Sequence, residues 1–67
     1  MRISYRPLWI KLAELEMTKK ELREKSGIDS KTIRRLKANE NIETKTLDKL
    51  CSALNCKIED IAEYIKE

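Results

Sequence analysis

Apolar positions recur at helical spacing through most of this chain, and the residues between them set where each helix starts and stops. Leu8, Leu12 and Leu15 fall three or four residues apart after Pro7. Proline keeps helix out of the residue before it and suits a first helical turn. The pattern predicts a first helix over about 7–16, with Trp9 on its flank as a core aromatic. Ahead of it, Ile3, Ser4 and Tyr5 alternate as a strand does. A lone strand is unstable, so this one needs a partner, and a second chain is one source.

Thr18 and Glu21 form a T-x-x-E capping box, in which each side chain satisfies a backbone N–H at a helix start. A second helix therefore begins here and ends at Ser26 and Gly27. Gly27 supplies the left-handed conformation that closes a helix, Ile28 tucks an apolar side chain under the turn, and Asp29 or Ser30 caps the next helix. That third helix runs to about Ala38, with Ile33 and Leu36 inward and Lys31, Arg34, Arg35 and Lys37 outward. Asn39 closes it in the left-handed region, and Glu40, Asn41 and Ile42 connect to a fourth helix over about 44–54. There Leu47, Leu50, Cys51 and Leu54 make the apolar stripe. After Asn55, the spacing of Ile58, Ile61, Ala62 and Ile65 predicts a last helix over about 58–66, with Tyr64 near its edge. The expected fold is all-α, a compact five-helix domain over 1–67 with a short N-terminal strand. No repeat, low-complexity tract or linker interrupts it.

Length limits what such a domain can do. A chain of 67 residues buries about 60% of its unfolded surface and leaves little room for an enclosed catalytic pocket. Its formal charge of +3 is unevenly spread. Residues 1–16 carry three basic and two acidic side chains, 17–37 carry eight and three, and 38–67 carry four and seven. A polyanion would feel a middle third at +5 and a last third at −3, because Lys and Arg that neutralise phosphates release condensed counterions. No apolar run is long enough for a signal peptide or approaches the roughly 20 residues that cross a bilayer, so the expected location is the cytoplasm.

The chemistry of enzymes is missing from the sequence. There is no His, and Cys51 and Cys56 alone fall short of a tetrahedral zinc set. Both thiols read as small core hydrophobes. With no activated nucleophile and no metal-ligand spacing, neither catalysis, a cofactor, a metal nor a small-molecule substrate is expected. The scattered carboxylates are accounted for by capping and by i,i+4 pairing, as in Glu16 with Lys20 and Glu21 with Lys25.

From Met17 to Ile61, about two-thirds of the chain, the sequence resembles the Cro and Xre-like group of helix-turn-helix regulators, the phage-repressor type of DNA-binding domain. The residues that carry the resemblance are Leu22, Gly27, Ile28, Ile33, Leu36 and the later run L-D-K-L-C-S-A-L-N-C. The S-Y-R-P-L-W lead and A-L-N-C ending look like the small stand-alone Xre-like regulators of Gram-positive bacteria and their mobile elements. The motif spans about 18–38. Two positions depart from the family pattern. Arg23 stands where the two motif helices nearly touch and a small residue is usual, and Ser26 stands before Gly27 where an apolar one is usual. Arg23 fits there if its stem lies along the helix and its head snorkels to solvent or a phosphate; otherwise the interhelix angle must differ.

The resemblance implies that the second motif helix enters the major groove and that its first, second and sixth residues, Ser30, Lys31 and Arg35, read base edges. Arg and Lys suit guanine acceptors, and Ser suits several bases. Arg34, about 100° round the helix from Arg35, is placed to grip a phosphate, as is Lys37. Lys19 matches a backbone-contacting position at a helix N-terminus, where free amides favour a phosphate. Thr44 and Lys45 could act likewise, or only cap their helix beside the repelling Glu40 and Glu43. The acidic loop after the recognition helix argues against minor-groove contacts. The implied protein is a transcriptional regulator, a repressor by promoter occlusion, that binds double-stranded DNA as a homodimer through Ile3 to Tyr5 and the last helix around Tyr64 and Ile65. The alternative is an antitoxin or another protein-binding module built on the same fold.

Overall fold

The computed structural model describes residues 2–66. Strand β1 (Arg2–Ser4) leads into helices α1 (Arg6–Glu14), α2 (Lys19–Ser26), α3 (Ser30–Lys37) and α4 (Thr44–Leu54), followed by a 3-10 turn (Ile58–Asp60) and strand β2 (Glu63–Ile65). Leu8, Leu22, Leu36 and Leu50, one from each helix, meet Ile61 in a fully buried centre. Trp9, Met17, Leu47, Cys51 and Cys56 pack against it half-buried, so Trp9 is a wall of the core and not its middle. Both cysteines are free thiols. Burial, above all, pushes the Cys56 thiol up, with the neighbouring Cys51 adding to it.

How the helices end explains most of the path. Gly27 closes α2 at φ +80°, its N–H reaching the Arg23 carbonyl. The other three α-helices end in Schellman motifs, with Glu16 (φ 54°), Asn39 (φ 56°) and Asn55 (φ 50°) as the left-handed residues. Their paired bonds run from Glu16 and Met17 to Ala13 and Leu12, from Asn39 and Glu40 to Leu36 and Arg35, and from Asn55 and Cys56 to Ser52 and Cys51. Glu16 carries no sequence signal for this conformation. Consequently α1 stops two residues before the expected Glu16, and Leu15, expected in the core, is 47% exposed while Met17 packs inward.

The terminal segment also departs from expectation. The four apolar residues from Ile58 to Ile65 fit helical spacing, yet the described residues hold four α-helices, and this segment forms the 3-10 turn and β2. A nine-residue helix is marginal without strong packing, and Glu63–Ile65 is rich in the aromatic and β-branched types that suit strands. β1 supplies the deciding partner, pairing antiparallel with Arg2 opposite Ile65, Ile3 opposite Tyr64 and Ser4 opposite Glu63. The strand that needed a partner therefore finds it in its own chain. This arrangement buries Ile61 and leaves Ile58 more than half exposed.

The same strand fixes the entry to α1. Ser4 is buried, and its Oγ accepts the Arg6 N–H at 3.2 Å. Tyr5, also buried, donates its N–H to Asn39 Oδ1 at 2.9 Å, tying the start of α1 to the end of α3. Of the expected i,i+4 ion pairs, neither forms. Glu16 lies outside any helix, Glu21 is engaged in the α2 cap, and the one salt bridge among the described residues joins Lys45 and Glu43 at 4.0 Å.

Candidate nucleic-acid interface

Two capped helices and one turn build the basic face. At the start of α2, Thr18 Oγ1 accepts the Glu21 N–H at 3.1 Å, and Glu21 Oε1 accepts the Thr18 N–H at 2.9 Å. The box leaves the amides of Lys19 and Lys20 without intrahelical partners, directed out of the helix end. For α3 the cap is Asp29, whose Oδ1 accepts the Thr32 N–H at 2.8 Å. Ser30 is thereby released from capping.

Ile33 and Leu36 hold α3 to the core, and Ser30, Lys31, Arg34, Arg35 and Lys37 are all exposed. Lys31 and Arg35, four residues apart, share one strip of the outer face, while Ser30, Arg34 and Lys37 share the next. Among the described residues, no carboxylate lies within ion-pair distance of any of these cations or of Lys19. Their charge is left for an external anion.

Arg23, at the position where the motif helices approach, is half-buried, and its Nη1 donates to Ser30 Oγ at 2.9 Å. Its head bridges to the first residue of α3, which is how a long side chain is accommodated there. The bond occupies a lone pair of the Ser30 hydroxyl and leaves its O–H free to donate. Ser26, the second departure, donates its hydroxyl to the Leu22 carbonyl at 2.6 Å and so satisfies itself within α2. Sequence spacing gave no signal for the Arg23–Ser30 contact, which depends on the angle between two helices.

Lys19 and Lys37 come together at one cleft between α1, the start of α2 and the end of α3. The Lys19 ammonium lies 5.8 Å from the centroid of the Trp9 ring, a cation–π contact that the sequence did not announce. Thr44 and Lys45 do not line this cleft. They sit exposed at the start of α4, where Lys45 is engaged with Glu43.

Hydrogen bonds from Thr18 lower the Glu21 pKa, and those from Thr32 lower that of Asp29. Both caps therefore stabilise the fold fully above the ordinary carboxylate range and lose that contribution as pH falls toward the lowered folded values. Asp29→Asn keeps a capping side chain of equal quality but does not titrate. Thermal melts from about pH 7 to about pH 3 are expected to show near-equal stability at neutral pH and a shallower acid decline in the variant. Superimposable acid limbs would remove Asp29 from the account.

The geometry is that of a helix, a tight left-handed turn and a second helix with a bare cationic face. The family model for the Cro/C1-type HTH DNA-binding domain matches residues 7–67. The chain belongs to the Cro/C1-type helix-turn-helix family. Among solved structures, the crystal structure of the transcriptional regulator VanUg is similar at 41% identity and a TM-score of 0.91, over 98% of this chain and 88% of that one. No curated protein matches. This Cro/C1-type domain is thus a DNA-binding module of a regulator family, a kind of protein that is typically non-enzymatic. None of its described helices is long and apolar enough to cross a membrane.

Proposed function

We propose that the protein is a sequence-specific transcriptional repressor that occludes promoter DNA as a homodimer, with α3 in the major groove. The observation that carries this reading is the exposed face of α3, where four cations lie within seven residues without a carboxylate partner among the described residues. Lys31 and Arg35 read base edges from its centre, and Ser30, oriented by Arg23, donates to a base acceptor. Arg34, Lys37 and Lys19 grip phosphates along the flank, Lys19 with the free amides of α2 behind it. Thr44 and Lys45 add outer phosphate contacts, with Glu43 offsetting part of the Lys45 charge. VanUg, a transcriptional regulator of matching fold, supports the regulatory role.

One helix reads only a few base pairs, so useful specificity needs two half-sites about 34 Å apart and hence two copies. Ile3 and Tyr64 face each other across the β1–β2 ladder and are 47% and 59% exposed, with Ile58 also 54% exposed. This surface suits a two-fold contact, now through the completed sheet in place of an unpaired strand. Light scattering at tens of micromolar, combined with anisotropy of a labelled duplex over a range of salt, tests both halves. Dimers and a linear log–log salt dependence are expected. A monomer with and without DNA would end the dimer, and salt-independent binding would end the phosphate assignments.

A further inference from the structure

The cleft that gathers Lys19 and Lys37 is more than a phosphate rest. It is an open surface groove with a volume of about 560 Å³, comparable in size to the pockets of roughly 300 to 1,000 Å³ that hold small organic ligands. Its apolar lining is Trp9, Leu12, Ala13 and Met17, and its cationic lining is Lys19 and Lys37. Thr18, the remaining lining residue, has its hydroxyl committed to the α2 cap. Among the described residues no carboxylate lines the cleft, so a bound anion meets two positive charges and no opposing one from them. Trp9 holds the Lys19 ammonium at the rim by its cation–π contact. Met17 and Trp9 both favour an aromatic neighbour, through sulfur–ring and ring–ring contacts.

We propose that this cleft binds a small aromatic carboxylate, its ring against Trp9 and Met17 and its carboxylate between Lys19 and Lys37, in competition with DNA. The competition rests on the DNA reading above, in which the same two ammonium groups face phosphates. Carboxylate and phosphate compete for one pair of charges, and the effect is reciprocal, so DNA weakens the ligand as the ligand weakens DNA.

The single Trp of the sequence gives one indole N–H resonance, which reports on the cleft in the full chain without DNA. Titration at constant pH and ionic strength compares 2-naphthoate with acetate, the anion alone, and with 2-naphthalenemethanol, the ring alone. Saturable shifts of the indole and of the Ala13 and Lys19 amides are expected with naphthoate, with the other two binding at least about tenfold more weakly. Ala13→Glu, on an exposed wall position, sets a carboxylate against the ligand's and is expected to weaken naphthoate by about tenfold with the circular dichroism unchanged. Saturating naphthoate is then expected to weaken duplex binding and to make the log–log salt slope shallower by about one to two, the loss of one or two phosphate contacts.

Absence of saturable shifts, equal binding of the alcohol, or an indifferent Ala13→Glu variant would overturn the site. Saturable binding that leaves DNA affinity unchanged would overturn the competition. A protein that binds no DNA at all refutes the DNA reading and the competition with it, while the resonance titration still decides the site.

Discussion

Leu36→Ala is expected to destabilise the protein by about 2 to 5 kcal/mol, the range for a buried large-to-small change that leaves a cavity. Leu36 is fully buried, and with Ile33 it is one of two side chains that anchor α3 to the core. A domain of this length holds only about 3 to 10 kcal/mol of total stability, so the substitution removes a large share of it. The loss also reaches function, because α3 carries every proposed base reader and has no other buried attachment. Urea denaturation checks it. The midpoint should fall with little change in slope, and a loss under about 1 kcal/mol would mean that the core collapses around the missing side chain.

Arg35→Ala is expected to have the second large effect, acting on binding with the fold intact. Arg35 is exposed on the centre of α3, four residues from Lys31, with no ion-pair partner among the described residues. Removing a bidentate contact to a guanine costs about 1 to 3 kcal/mol on the best site and relaxes preference at that position. Lys19→Ala, at the free N-terminus of α2, is expected instead to weaken all duplexes alike and to lower the salt slope by about one. Anisotropy with specific and random duplexes separates the two. If both variants lose affinity equally on both duplexes, Arg35 is not a reader.

The motif was legible because its boundaries are written in side chains. Thr18 with Glu21, Gly27 and Asn39 each announce one conformational role, Asp29 is one of two candidate caps with Ser30, and the structure puts Thr18, Glu21, Gly27, Asp29 and Asn39 to those uses. Glu16 has no such signature, and its left-handed backbone shortened α1 and turned Leu15 outward. The last segment misled for a different reason. Its apolar spacing satisfies a helix, and only the unpaired β1, more than fifty residues away, decides for a strand. A local pattern cannot weigh that long-range pairing. The cations of α3 were readable from helical geometry, whereas the Arg23–Ser30 bond and the Lys19–Trp9 contact depend on how helices pack. They explain how Arg23 fits the motif and where Lys19 is held.

In the proposed function α3 reads a specific operator as part of a dimer. Selection of genomic fragments by the purified protein at about 0.15 M salt, where non-specific phosphate binding is screened, tests it most directly. Enrichment of an inverted repeat with half-sites about one helical turn apart is expected. Uniform recovery of fragments, with no shared sequence, would contradict it.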